Sequence, residues 1–146
     1  MAIKGSREVS IEATADEILD VIADIESAPS WTSQYQRAEV LDTYEDGRPR
    51  RAQIGVRAAG MTDTHVIEYT WADNSVRWTL LSAGHVKSQN ATYTLTPADA
   101  KTRVRFDMAI ELTVPLPGFV VKMALKSGLD TATEGLRKRV LEVKND

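Results

Sequence analysis

Two histidines, four tyrosines and three tryptophans are the residues of this chain best suited to chemistry or to gripping a ligand, and no cysteine accompanies them. Without cysteine there is no disulfide, no thiolate metal site and no thiol nucleophile. His65 is the one candidate for a general acid or base, with Tyr69 or Tyr93 as donors to a substrate carbonyl. His65 and His85 fall on different elements, and no clustered carboxylates complete a metal set, so neither a metal nor a cofactor is expected. Gly-x-Ser-x-Gly and Gly-rich phosphate-loop motifs are both missing. Asn90-Ala91-Thr92 matches a glycosylation sequon but has no secretory signal ahead of it.

These residues must be positioned by the elements that carry them. Between Gln34 and Leu112 the polarity alternates with a period of two, the signature of half-buried strands. Strands are expected over Gln34–Tyr44, Arg50–Ala58, Thr62–Trp71, Ser75–Ser82, Val86–Thr96 and Thr102–Val114. Turn residues separate them: Asp46-Gly47, Ala59-Gly60, Asp73-Asn74, Ala83-Gly84 and Pro97-Ala98-Asp99. Such short loops pair neighbouring strands antiparallel. Ahead of them, Ile3–Ile11 reads as a further strand. Thr14 and Glu17 form a capping box, and Ile18, Val21, Ile22 and Ile25 then follow at helical spacing, predicting a short helix from Asp16 to Ala28, stopped by Pro29.

The last apolar run, Phe119 to Val143, is the organising stretch. Val121, Leu125, Leu129, Ala132, Leu136, Val140 and Val143 recur at steps of three and four, which places them on one helical face. Gly128, Ala132 and Gly135 lie along one shoulder of that face. Two mid-helix glycines there signal that side-chain volume is unwanted, either for close packing on the sheet or as room for a bound molecule. One helix covering a curved seven-stranded sheet leaves space beneath it unless large side chains fill it.

Parity along the strands puts Tyr69, Trp71, Trp78, Gln89, Tyr93 and Met108 on the concave side, with His65 inward or near it. Trp31 sits at the junction of the first helix and second strand, and Tyr35 follows. Trp31, Tyr69, Trp71, Trp78, Gln89, Tyr93 and Met108, together with Met123, Gly128 and Ala132, make up the candidate ligand-binding set. Each also has an ordinary structural reading: aromatics bonded to backbone, a hydrogen-bonded core histidine, methionines filling irregular gaps. Arg48-Pro49-Arg50-Arg51 reads as a solvated hairpin, with an acidic partner or anionic surface as the alternative.

A net charge of −3 with interleaved signs argues against nucleic-acid binding. No apolar run reaches the ~20 residues of a membrane span, and no signal peptide precedes the first strand. The expectation is a single cytoplasmic domain over residues 1–146, monomer or homodimer, with no integral membrane association.

In element order, and in Ala13-Thr14-Ala15-Asp16-Glu17-Ile18, Ser27-Ala28-Pro29-Ser30-Trp31, Val40-Leu41 before Asp46-Gly47-Arg48, and Pro115-Leu116-Pro117, the chain resembles the START and Bet v 1-like (SRPBCC) superfamily. It is most similar to the bacterial polyketide cyclase/dehydrase-type family. The resemblance implies an α+β helix-grip fold, a seven-stranded antiparallel sheet around a long C-terminal helix, with a cavity opening near Trp31. It implies a hydrophobic ligand such as a lipid, quinone, sterol or polyketide. The alternative it implies is a polyketide aromatase/cyclase or dehydratase, which typically points an arginine and a tyrosine inward. Here Arg37, Arg57, Arg77, Arg103 and Arg105 fall on the outer face. A cavity smaller than ~300 Å³ would weigh against the ligand-binding reading.

Overall fold

The computed structural model describes residues 1–58 and 60–145. Seven strands, β1 (Ala2–Ile11), β2 (Tyr35–Thr43), β3 (Pro49–Ala58), β4 (Met61–Ala72), β5 (Ser75–Ser82), β6 (Val86–Ala98) and β7 (Lys101–Leu112), form one antiparallel sheet. Their order is β1-β7-β6-β5-β4-β3-β2. All but β1 join as a meander, and β1 closes back on β7. Alternation fixes which side is buried: in β7, Val104 and Phe106 are buried while Arg103 and Arg105 face water. Register shifts in β2, and one between β4 and β5 beside Leu81, add the local twist that bends the sheet.

The hairpin turns carry the expected chemistry. Gly47 and Gly60 adopt positive φ, 88° and 77°, a region glycine enters without steric cost. Ala59, of the expected Ala59-Gly60 turn, lies outside the described residues. β6 runs to Ala98, past the expected break at Pro97, so Asp99, at φ 39°, makes the turn instead. β7 ends at Leu112, short of Val114.

Helix α1 (Ala15–Ala23) has its capping box: Glu17 N–H donates to Thr14 Oγ1 at 3.1 Å, and Thr14 N–H to Glu17 Oε1 at 2.9 Å. It stops five residues earlier than its apolar spacing predicts. Asp24 leaves helical geometry at ψ 69°, and Ile25–Ser30 continues as a 3₁₀ turn that contains Pro29. Ile25 keeps its inward position in the tighter turn, which is why the periodicity reads through the break.

The C-terminal helix spans 118–144 but is not uniform. Helix α2 (Gly118–Asp130) passes into a π segment (Thr131–Gly135) and then α3 (Leu136–Lys144). Leu136 N–H reaches back five residues to the Thr131 carbonyl, the mark of a π turn. Leu129, Ala132, Leu136 and Val140 are buried against the sheet and α1. Arg7 pairs with Asp130, and Arg137 with Glu12 at 3.0 Å, fastening this part of the helix to the first strand and its end. Upstream the helix is looser: Phe119 is 70% exposed and Met123 is 69% exposed.

Replacing fully buried Leu136 by Ala should lose about 2–5 kcal/mol, the usual cost of emptying a core site. Met123→Ala should stay within about 0.5 kcal/mol of wild type. Urea unfolding of the two variants measures the contrast.

Candidate functional site

Between the outer half of the helix and the concave sheet lies a cavity of about 260 Å³. Its walls come from α2 and the π segment, the 3₁₀ turn, the end of α1 and the inward faces of the sheet, including Ile3 of β1 and Tyr35 of β2. The space follows from how the helix is held. Packing is tight from Leu129 onward, whereas Val121, Ala124 and Leu125 meet the sheet only partly.

Trp31, Tyr69, Trp78, Gln89, Tyr93 and Met108 all line this cavity, as do Gly128 and Ala132 from the helix, and His65. Two sequence-based candidates lie elsewhere. Trp71 shares its parity with Tyr69 and stacks on it, centroids 5.6 Å apart, but sits one step further along β4, beyond the cavity. There its indole N–H donates to the Pro49 carbonyl at 2.7 Å, and the Arg48 guanidinium lies 5.1 Å from its ring centre. Arg48 also pairs with Asp20 at 3.0 Å and donates to the Leu19 carbonyl, so it ties the β2–β3 hairpin to α1 and is not a freely solvated charge. Met123 faces solvent because it lies two residues from Val121, about 200° round the helix from the cavity side.

The glycine shoulder divides between its two readings. A Cβ built on Gly128 would meet no atom within 4 Å, so that position borders open space. One on Gly135 would touch the Trp31 carbonyl and Thr131 Cγ2, both at 3.6 Å, so Gly135 serves close packing.

The polar groups of the cavity fall into three sets. Tyr93 is structural: its hydroxyl donates to the Ala132 carbonyl at 2.8 Å, in the π segment. Asp63 and His65 form a pair at the end near the β5–β6 loop, 3.2 Å apart, with His65 only 8% exposed. Burial pushes the Asp63 carboxyl up, but the backbone N–H groups of His85, Gly84 and Thr64 and the neighbouring His65 more than offset it, and the net shift is downward. Burial pulls His65 below its ordinary 6.5, and the attraction of Asp63 only partly restores it. His65 is therefore neutral at pH 7 beside an ionised carboxylate.

The third set is unpartnered. Among the described residues, the indole N–H groups of Trp31 and Trp78 are buried without a hydrogen-bond partner. Tyr35 and Tyr69 also line the cavity, and burial pushes the Tyr35 phenol up to about 12 and Tyr69 well above its ordinary value. Ionising Tyr35 would raise both Tyr69 and Tyr93, so the three phenols lie close together. They stay protonated and act as hydrogen-bonding groups, not as bases. Sequence reasoning left Tyr35 and Asp63 out of its set. The signal for Tyr35 was parity along β2, which register shifts in that strand obscure. Asp63 carried no signal, because its partners are backbone groups of a distant loop.

His65 and Tyr69 point the same way from one strand, four residues apart. At 3.3 Å per residue their backbones stand about 13 Å apart along β4. Among the described residues no group of His, Cys, Asp or Glu side chains could hold a metal ion, and no helix is long and apolar enough to cross a membrane.

Residues 2–141 match the family described as polyketide cyclase / dehydrase and lipid transport. Among solved structures, a START superfamily protein from Mycobacterium smegmatis shares 25% identity and a TM-score of 0.85 over 96% of this chain and 98% of its own. A Thermus thermophilus protein shares 23% identity, TM-score 0.79, over 97% and 99%. The Zhui aromatase/cyclase of a Streptomyces species has the same fold at 13% identity, TM-score 0.77, over 96% and 94%. No curated protein matches the chain.

Two outcomes follow from this geometry. The folded state keeps His65 neutral where the unfolded chain would take up a proton. Its contribution is therefore full above pH 6.5 and falls as pH drops through that value toward the lower folded-state midpoint. NMR titration of His65 should give a midpoint below 6.5, and His65→Asn should flatten the stability slope just below that pH. Tyr93→Phe should lose about 1–3 kcal/mol by orphaning the Ala132 carbonyl, read by chemical denaturation.

Proposed function

The chain belongs to the polyketide cyclase/dehydrase and lipid transport family, and from that premise we propose that it binds a small hydrophobic molecule in the cavity beneath α2. Membership alone supports a hydrophobic-ligand or cyclase role. The observation that carries the narrower reading is the open space at Gly128, set in walls that are mostly apolar. A helix interior forgoes about 1 kcal/mol by using Gly in place of Ala, and at this position no close contact repays that cost.

Volume limits the ligand. At about 260 Å³ the cavity falls just under the ~300 Å³ at which drug-sized pockets begin. By the criterion set from the sequence this weighs against the ligand-binding reading, and most of all against a sterol or a long acyl chain held in full. It suits a molecule of one or two rings, or one end of a longer molecule. Burial supplies the affinity at about 25 cal/mol per Å² of apolar surface removed from water. A cyclase or dehydratase would need a base at an acidic methylene and a donor at the departing hydroxyl of one substrate. Tyr93 is committed to backbone, and His65 and Tyr69 stand apart along β4, so binding is the reading better supported.

Gly128→Leu tests it. The new Cβ meets nothing within 4 Å and helix propensity improves, so stability should hold or rise by about 0.5–1 kcal/mol. Native mass spectrometry of wild type purified from a bacterial host should show a co-purifying small molecule that Gly128→Leu lacks. Wild type empty in every preparation would overturn the proposal.

A further inference from the structure

We propose that the outer face of α2, with the turn that precedes it, docks onto an anionic lipid surface. Phe119 and Met123 enter the headgroup region, and Lys122 and Lys126 meet the lipid phosphates. This surface is separate from the cavity, so its failure would leave the binding role as it stands.

Exposure is the first observation. Phe119 and Met123 are the two most exposed large apolar side chains among the described residues, and they lie one turn apart on α2. Val114, also exposed, comes just before them in the Val114-Pro115-Leu116-Pro117 turn. Met1, exposed as well, joins that turn, where the Leu116 N–H donates to Met1 Sδ at 3.3 Å. The remaining exposed large apolar side chains, Leu41, Tyr44, Leu81 and Val143, are scattered over other elements. An apolar cluster left in water marks a surface meant to be covered. The cavity does not account for it. At about 100° per residue, Phe119, Lys122, Met123 and Lys126 share one side of the helix, opposite the cavity-lining Val121, Ala124, Leu125 and Gly128.

Charge is the second observation, and it selects the partner. No Asp or Glu occurs from Thr113 to Leu129, whereas Lys122 and Lys126 are both exposed. The acids that bound this stretch are engaged: Glu111 faces Lys87 at 3.8 Å, and Asp130 is shared between Arg7 and Lys126. The whole chain carries −3, so attraction to an anionic surface has to be local. The basic hairpin does not supply it, because Arg48, Arg50 and Arg51 pair with Asp20, Glu68 and Asp42. Large apolar groups beside lysines suit a helix that lies in a bilayer interface. Each lysine near an anionic surface is worth about fivefold in partition. A second copy fits less well, since the same acid-free stretch would meet itself with lysines on both sides and no carboxylate to pair them.

Vesicles of phosphatidylcholine, with and without phosphatidylglycerol, test this by co-sedimentation. Wild type should bind the phosphatidylglycerol vesicles about tenfold or more tighter than phosphatidylcholine alone, and high salt should remove most of that preference. Phe119→Ser with Met123→Ser should weaken binding to the phosphatidylglycerol vesicles about tenfold or more. Lys122→Gln with Lys126→Gln should erase most of the preference between the two vesicle types. These positions are exposed, so the urea midpoints of both variants should match wild type. Leu81→Ser, at an exposed apolar site on β5, should bind as wild type does. The chain has no cysteine, so Met123→Cys places a nitrobenzoxadiazole label at one point. Its emission should shift to the blue on phosphatidylglycerol vesicles, while the same label on Val143→Cys stays as in buffer. Wild type that does not sediment with phosphatidylglycerol vesicles, or binding that the Phe119/Met123 variant keeps in full, would overturn the proposal. So would a dimer in light scattering that this variant splits into monomers, which would assign the face to a second copy.

Discussion

One helix has to cover the concave side of seven strands, and it makes close contact along only part of its length. From Leu129 to Val140 the apolar face meets β1, β7 and α1, and the pairs Arg7–Asp130 and Arg137–Glu12 hold it there. Upstream, Leu125 still rests on Gly5 of β1, while Val121, Ala124 and Gly128 are half-buried and line the cavity. Interior packing elsewhere leaves little unfilled. The cavity lies beside the half-buried stretch of the helix, between it and the inward faces of the strands. Residues on the anchored half govern stability, and residues on the lifted half govern the shape of the space.

The interior polar groups follow the same division. Where the helix is anchored, they are satisfied within the protein: Tyr93 on the Ala132 carbonyl, Thr133 on the Leu129 carbonyl at 2.7 Å, Thr102 on the Ala13 carbonyl at 2.7 Å. Among the described residues, the Trp31 and Trp78 indole N–H groups are buried without a partner. Asp63 sits at the boundary. It uses its charge to hold the Gly84–His85 turn and to steady His65, so the negative charge nearest the cavity is spent on architecture. The result is a mostly apolar chamber whose one lining carboxylate is already paired.

Much of this was legible in the chain. Alternation in β7 and helical spacing in Phe119–Val143 each identify one buried face, and a curved antiparallel sheet with a single long helix has few arrangements open to it. The capping box at Thr14 and the turn residues at Gly47 behaved as local chemistry requires. The failures share a cause, which is dependence on distant partners. Where α1 stops depends on backbone geometry at Asp24, while its apolar spacing continues into the 3₁₀ turn. Arg48 reads as one charge in a run, yet it finds Asp20, the Leu19 carbonyl and the face of Trp71. Trp71 has the right parity and the wrong depth, since parity says which face a residue takes but not how far along the sheet the space extends. Met123 was misplaced against its own helical angle. The parity of Tyr35 is blurred by the register shifts of β2, and no pattern in a sequence records that the Trp31 and Trp78 indole nitrogens lack partners.

The π segment gives the molecule a phase break in the middle of its longest element. A single extra residue per turn rotates everything before it relative to everything after, so side-chain directions in α2 are uncoupled from those in α3. A lineage can therefore rewrite the lining at Val121, Leu125 or Gly128 without re-registering the foundation laid by Leu136 and Val140. Sites this far apart with separate neighbours contribute to stability almost independently. That modular split lets one scaffold change its tenant while the masonry stays as it was.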